Sequence, residues 1–200
     1  MIKEAIAKLI DGIDLKQGEA RSVMEEIMTD QATAAQISAY LVAMRLKGET
    51  IDEITGSAEI MRQHATKIIY EGKYILDTCG TGGDKSHTFN ISTVSAFVAA
   101  GAGAVVAKHG NRAVSSKCGS ADLLKELGIN IEAKPAVVQN CLNKIGIAFL
   151  FAPLLHESMR YAVPVRREIG IRTIFNILGP MTNPAGARHH LLGVFDRDLT

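Results

Sequence analysis

Two hundred residues hold one ordinary domain or two small ones, and 47% hydrophobic content with only 5% aromatics describes an aliphatic core. With 22 basic against 21 acidic side chains the net charge is +1, so no global field draws the chain to nucleic acid or an anionic membrane, and any anion site must be local. Cys79, Cys118 and Cys141 are odd in number, far apart and form no Cys-x-x-Cys pair, which argues against a disulfide framework or a zinc cage.

Residues 1 to about 70 read as helix after helix, from apolar positions at three- and four-residue spacing. The opening MIKEAIAKLIDGID mixes acids into this pattern and lacks a signal-peptide run, and no window approaches a membrane span; the predicted location is cytoplasmic. Ile2, Ile6, Leu9 and Ile10 form a first stripe, and Val23, Met24, Ile27 and Met28 a second. Thr33 with Gln36 and Thr50 with Glu53 have the spacing of capping boxes, the first helix ending at Gly48.

After Gly72 short apolar runs lead into glycine-rich turns and then helices, the alternation of a parallel α/β sheet. Strands are predicted at Tyr74–Asp77, Ala104–Ala107, Ile129–Glu132 and Ile147–Phe151, and helices near 92–102, 119–127 and 135–145, with Gly128 as a stop and Pro135 in a first turn. Residues 155–177 read as helical again and LLGVF at 191–195 as one more strand. The predicted fold class is therefore α/β: a helical N-terminal domain over 1–72 and a larger, mainly parallel α/β domain over 73–200, with 155–190 packing back on the helical part. VFDRDLT ends just after the last strand without the turn or helix of a βα unit, which predicts a piece of a longer protein.

Three clusters carry chemistry. Cys79-Gly80-Thr81-Gly82-Gly83-Asp84 follows a predicted strand and precedes Thr88, Asn90, Ser92, Thr93 and a helix, so its backbone N–H groups and the helix start make a phosphate cradle. It is neither a Walker A loop nor a dinucleotide fingerprint. Lys108-His109-Gly110-Asn111-Arg112, followed by Ser115, Ser116, Lys117, Gly119 and Ser120, ends the next strand. Ligands of open parallel sheets sit at strand carboxyl ends, so both loops should line one crevice. Arg166, Arg167 and Arg172 offer planar forks for a carboxylate, against the alternative that arginines on a helix face water. His109 and His156 are candidate polar contacts, His64, His87, His189 and His190 have no acidic or cysteine partner at metal-ligand spacing, and Cys79 and Cys118 read as packing residues.

MRLKGET at 44–50, CGTGGD at 79–84, TFNIST at 88–93, KHGNRAVSSKCGSAD at 108–122 and REIGIRTIFNILGPMTNPA at 167–185, in this order, resemble the anthranilate phosphoribosyltransferase family. Lys85 departs from the family's expected glycine. The resemblance implies a homodimer contacting through helical domains and a transfer of phosphoribose from phosphoribosyl pyrophosphate to anthranilate in tryptophan biosynthesis. It implies donor contacts at Gly80, Gly83, Asp84, Thr88, Asn90, Ile91, Ser92, Thr93, Lys108, His109, Gly110, Asn111, Arg112, Ala113, Val114, Ser115, Ser116 and Ser120, and anthranilate contacts at Gly80, Asn111 and Arg166. Ser92 would meet one Mg2+; no general base is implied. The family's second metal position uses an adjacent Asp-Glu pair that Asp196-Arg197-Asp198 does not match, so a chain ending at Thr200 is expected to bind magnesium poorly and turn over little.

Two other readings compete. A pyrimidine nucleoside phosphorylase shares a KHG-x-R stretch and a serine-rich turn but should lack the run from REIG to NPA. A non-catalytic, nucleic-acid-binding relative would want a basic surface that a net charge of +1 does not supply.

Overall fold

The computed structural model describes residues 1–82, 88–113 and 118–200. The chain divides into two compact units, Met1–Ala65 with His156–Thr182, and Thr66–Leu155 with Asn183–Thr200.

The first unit is helical: α1 (Ile2–Ile10), α2 (Gln17–Met28), α3 (Ala34–Lys47) and α4 (Ile51–His64), then, after a 3-10 turn at Glu157–Tyr161, α9 (Val163–Ile169) and α10 (Ile174–Met181). Both predicted capping boxes form, with Gln36 N donating to Thr33 Oγ1 and Glu53 N to Thr50 Oγ1, and α3 stops at Gly48. Val23, Met24 and Ile27 of α2 share one buried core with Tyr40, Leu41 and Met44 of α3 and with Ile174, Phe175 and Leu178 of α10. The first stripe differs from expectation: Ile2, Ala5 and Leu9 face the core, whereas Ile10 is 71% exposed. One residue beyond Leu9 rotates the side chain by about 100°, off the buried face.

Glu53 is fully buried at the start of α4 and accepts hydrogen bonds from Leu15 N, Thr50 N and Lys47 Nζ. Lys47 also donates to Asp14 and to Gly48 O. This buried carboxylate ties the α1–α2 connection to the α3–α4 turn.

The second unit is a four-stranded parallel sheet in the order β3-β2-β1-β4, made of β1 (Leu76–Asp77), β2 (Val106–Gly110), β3 (Ile147–Phe151) and β4 (His189–His190). Its helices are α5 (Ile91–Gly101), α6 (Ser120–Glu126), α7 (Pro135–Ile145) and the single turn α8 (Ala152–Leu155). Ala107, Leu142, Ala148 and Leu150 pack one face; Ala121, Leu124 and Ile131 pack around Phe151.

The sheet corrects three strand expectations. β2 runs later than Ala104–Ala107 and continues through Lys108 and His109, because all five of its residues pair with β3, from Val106 opposite Ile147 to Gly110 opposite Phe151. The charge that marks a surface strand end in the sequence here turns inward. Ile129–Glu132 is a turn: Asn130 Oδ1 accepts from Glu132 N and diverts the backbone from any ladder, leaving Ile131 to fill a gap beside Phe151. LLGVF is not a strand either. His189–His190 pairs with Leu76–Asp77, and the following residues swing to the first loop, where Thr81 N donates to Gly193 O and Phe195 N to Thr81 Oγ1. Among the described residues no helix is long and apolar enough to cross a membrane.

Candidate functional site

Parallel pairing places the carboxyl ends of β1 and β2 at the same sheet edge, so the chain leaves Asp77 and Gly110 on one side of the sheet. From β1 the chain passes through Thr78, Cys79 and Gly80. A Cβ on Gly80 would meet Gly193 O at 2.7 Å, so a glycine lets the 191–195 segment close on this turn. Gly82 has φ +63°, the left-handed conformation expected of a turn glycine. Thr78 Oγ1 donates to Ser92 O and anchors the first turn of α5 against the loop.

Around this edge the structure gathers several residues singled out in the sequence. Lys108 is only 3% exposed and its Nζ donates to Ser92 Oγ at 3.2 Å. Burial pushes its pKa down, against the opposing pull of Cys79 and Asp77. Thr93, fully buried, donates from Oγ1 to Ser120 Oγ at 3.0 Å, joining the first turns of α5 and α6. Asn90 Nδ2 reaches Gly119 O and Cys118 Sγ. A Cβ on Gly119 would lie 2.3 Å from Ala113 N, so only glycine fits where the two arms of this loop cross. Asp122 accepts from Ala113 N and Gly119 N, and these backbone donors hold its carboxyl below the usual range.

Other expected contacts sit differently. Arg112 is turned toward Asp122, Glu132 and the ring of Phe151, so its guanidinium is engaged within the fold. Asn111 Oδ1 accepts from Arg112 N and its own carbonyl receives Ala121 N. Thr88 and Ile91 are exposed, Ile91 by 52%. His109 is buried in β2 and Gly110 packs against Phe149. Gly83, Asp84, Val114, Ser115 and Ser116 lie outside the described residues. Arg166 and His156 belong to the helical unit, where Arg166 stacks 5.1 Å over Phe175 and burial lowers its pKa. Cys79 is pushed up to about 12, chiefly by burial and then by the Asp77 charge, and is an inert thiol. Cys118, expected to pack, is exposed.

The sequence matches two glycosyl transferase family models, the helical bundle domain over residues 3–65 and the a/b domain over residues 72–200. The chain belongs to this glycosyl transferase family. Among its relatives, the anthranilate phosphoribosyltransferase of Pelotomaculum thermopropionicum is 60% identical over 195 residues, 98% of this chain and 56% of that protein. The one from Chloroflexus aurantiacus is 62% identical over 193 residues, 96% of this chain and 57% of its own length. Two solved structures superpose closely: the anthranilate phosphoribosyltransferase of Thermus thermophilus, with TM-score 0.92 and 46% identity over 97% of this chain and 59% of that one, and the Saccharomyces cerevisiae enzyme in complex with PRPP and Mg, with TM-score 0.88 and 28% identity over 99% and 59%. The chain thus spans between half and three-fifths of the length of these relatives.

Sequence reading passed over Asp77 and Asn183. Asp77 Oδ1 accepts from both Cys79 N and His109 N, and Oδ2 from Asn183 Nδ2 at 2.7 Å. A signal existed for Asp77: an acid closing an apolar run directly before a glycine loop is buried at a strand end. Asn183, 106 positions away, had none.

Proposed function

We propose that the protein this chain represents transfers the phosphoribosyl group of 5-phosphoribosyl 1-pyrophosphate to the amine of anthranilate, giving N-(5-phosphoribosyl)anthranilate and pyrophosphate in tryptophan biosynthesis. One observation carries the reading: the Cys79–Gly82 turn, the first turns of α5 and α6, and a buried lysine ammonium converge at the carboxyl edge of one parallel sheet. Backbone donors, two helix starts and a desolvated cation are what a doubly charged diphosphate requires, and the named relatives support the choice of substrates.

The described residues fit magnesium through Ser92. Mg2+ prefers oxygen ligands, keeps waters and takes one or two protein groups beside substrate phosphates, and the Ser92 hydroxyl, which accepts from Lys108, keeps a second lone pair. When bound, the ion would neutralise charge on the departing diphosphate. Lys108 adds a fixed positive charge beside it, and the helix starts orient the phosphates. The bond from ribose C1 to the diphosphate oxygen breaks with its electron pair leaving on the diphosphate. The amine lone pair then forms the new C–N bond, and the nitrogen sheds one proton to the departing diphosphate or to water. An aromatic amine is uncharged near neutral pH, so positioning rather than deprotonation is the main demand, in keeping with a site that calls for no strong base.

Within this reading Gly80 and Asn111 adjoin the acceptor and Arg166 pairs with its carboxylate, while Gly83, Asp84, Thr88, Asn90, Ile91, Thr93, His109, Gly110, Arg112, Ala113, Val114, Ser115, Ser116 and Ser120 surround the donor. The helical unit is the surface through which two copies pair, and exposed Ile10 and Leu46 on α1 and α3 support it. The protein works in the cytoplasm.

The test follows anthranilate fluorescence with phosphoribosyl pyrophosphate and magnesium. Arg166→Ala is expected to raise the KM for anthranilate roughly tenfold, the scale of one lost charge-assisted bond, with the donor KM within about twofold. A variant that weakens the donor more than the acceptor would move the carboxylate site elsewhere.

A further inference from the structure

We propose that Asp77 is a positioning residue for the donor site: its one buried carboxylate sets the spacing between the two strand-end loops that receive the diphosphate. The proposal rests on the donor reading above. Its basis is that the turn after β1 and the end of β2 are separate in sequence, yet the same oxygen, Asp77 Oδ1, accepts from Cys79 N in that turn and from His109 N one residue before β2 ends, each at 3.1 Å. The other oxygen is held by Asn183, whose Nδ2 also donates to Ala107 O at 2.8 Å and whose Oδ1 accepts from Ala185 N. Neither oxygen can move without releasing a loop.

A role in plain packing would not call for an acid here. Asp77 has no exposed surface, and an apolar residue of its size would satisfy the core, although it would strand three donors. Burial pushes its carboxyl above the ordinary 3.8, while Asn183, His190, the His109 amide and Lys108 pull it the other way. The ionisable groups facing it are Lys108 and His109 from β2, Cys79 from its own loop and His190 from β4, whose Nε2 lies 2.6 Å from Cys79 O. Of these, Lys108 places its charge on Ser92 at the start of α5, so the carboxylate both spaces the loops and balances the cation that the donor meets. Asp77→Asn keeps the shape but turns an amide NH2 toward the NH2 of Asn183, donor against donor, and one of the two must rotate away.

The experiment has two parts. Amide 1H–15N spectra of the chain are followed with pH: the Cys79 and His109 amide protons are expected to shift together with a single midpoint above 3.8, a joint shift absent in Asp77→Asn. Calorimetry then measures inorganic pyrophosphate and, with magnesium, phosphoribosyl pyrophosphate. Asp77→Asn is expected to weaken both at least about tenfold, the loss of one charge-assisted bond. Separate midpoints for the two amides, or none, overturn the tie even if the variant fails to fold. A folded variant that binds both probes like the parent overturns the positioning role. A parent chain that shows the joint shift yet binds neither probe sinks the donor reading and the positioning role with it, and leaves the link between the loops standing.

Discussion

Glu53→Ala is expected to cost about 3 kcal/mol, which for a chain of this size lowers the midpoint of thermal unfolding by roughly 6–12 °C. Glu53 has no exposed side-chain surface and Lys47 only 5%, so the pair sits where water cannot replace the lost partner. Alanine leaves the Leu15 and Thr50 amides without an acceptor and removes the reciprocal half of the capping box at α4. Lys47 keeps Asp14 and Gly48 O, and that residue of pairing is why the loss sits at the low end for a broken buried ion pair. Glu53→Gln, which retains an acceptor oxygen, should fall between the two. Scanning calorimetry checks the series, and a shift of less than about 2 °C for alanine would show that the helical unit does not depend on this link.

Lys108→Met should weaken binding of phosphoribosyl pyrophosphate with magnesium by about a hundredfold, the loss of one to two charge-assisted hydrogen bonds. A thioether of similar length fills the space without the ammonium's desolvation cost but leaves the buried Asp77 carboxylate without this cation, so the donor loses its cation and the variant's stability is measured beside its affinity. pH provides a second signature. Burial lowers the Lys108 pKa from 10.5, and only the protonated form attracts diphosphate, so parental affinity falls as pH rises through that lowered value and the methionine variant lacks this limb. Isothermal titration reads both. Unchanged affinity would place the diphosphate away from Ser92.

The helical unit was largely legible because its signals are local. Thr33 with Gln36 and Thr50 with Glu53 read as caps and are caps, and the Val23 to Met28 stripe is buried as its spacing requires. The α/β elements were legible where length and flanking turns agreed, as for β3 and α7, and misread where pairing partners decide. Lys108 looked like a strand end but is carried inward by β3, and LLGVF looked like a strand but is bent back by the Thr81 turn. The same division holds for the site. The glycine loops announce themselves through composition, and strand order then brings them to one edge. Asp77 and Asn183 act across the sheet, and no spacing rule in one sequence reveals a carboxylate that bridges residues 79, 109 and 183. Nor does the sequence reveal that Arg112 pairs with Asp122 and lies over the ring of Phe151.

The most direct measurement is a difference electron-density map of crystals of this chain soaked with phosphoribosyl pyrophosphate and magnesium. Diphosphate density within hydrogen-bonding reach of Lys108 Nζ and the backbone beyond Cys79, at the carboxyl edge of β1 and β2, is the predicted result. Density at the opposite edge, beside Tyr70, Lys73 and Arg188, with the space around Ser92 unchanged, would contradict it.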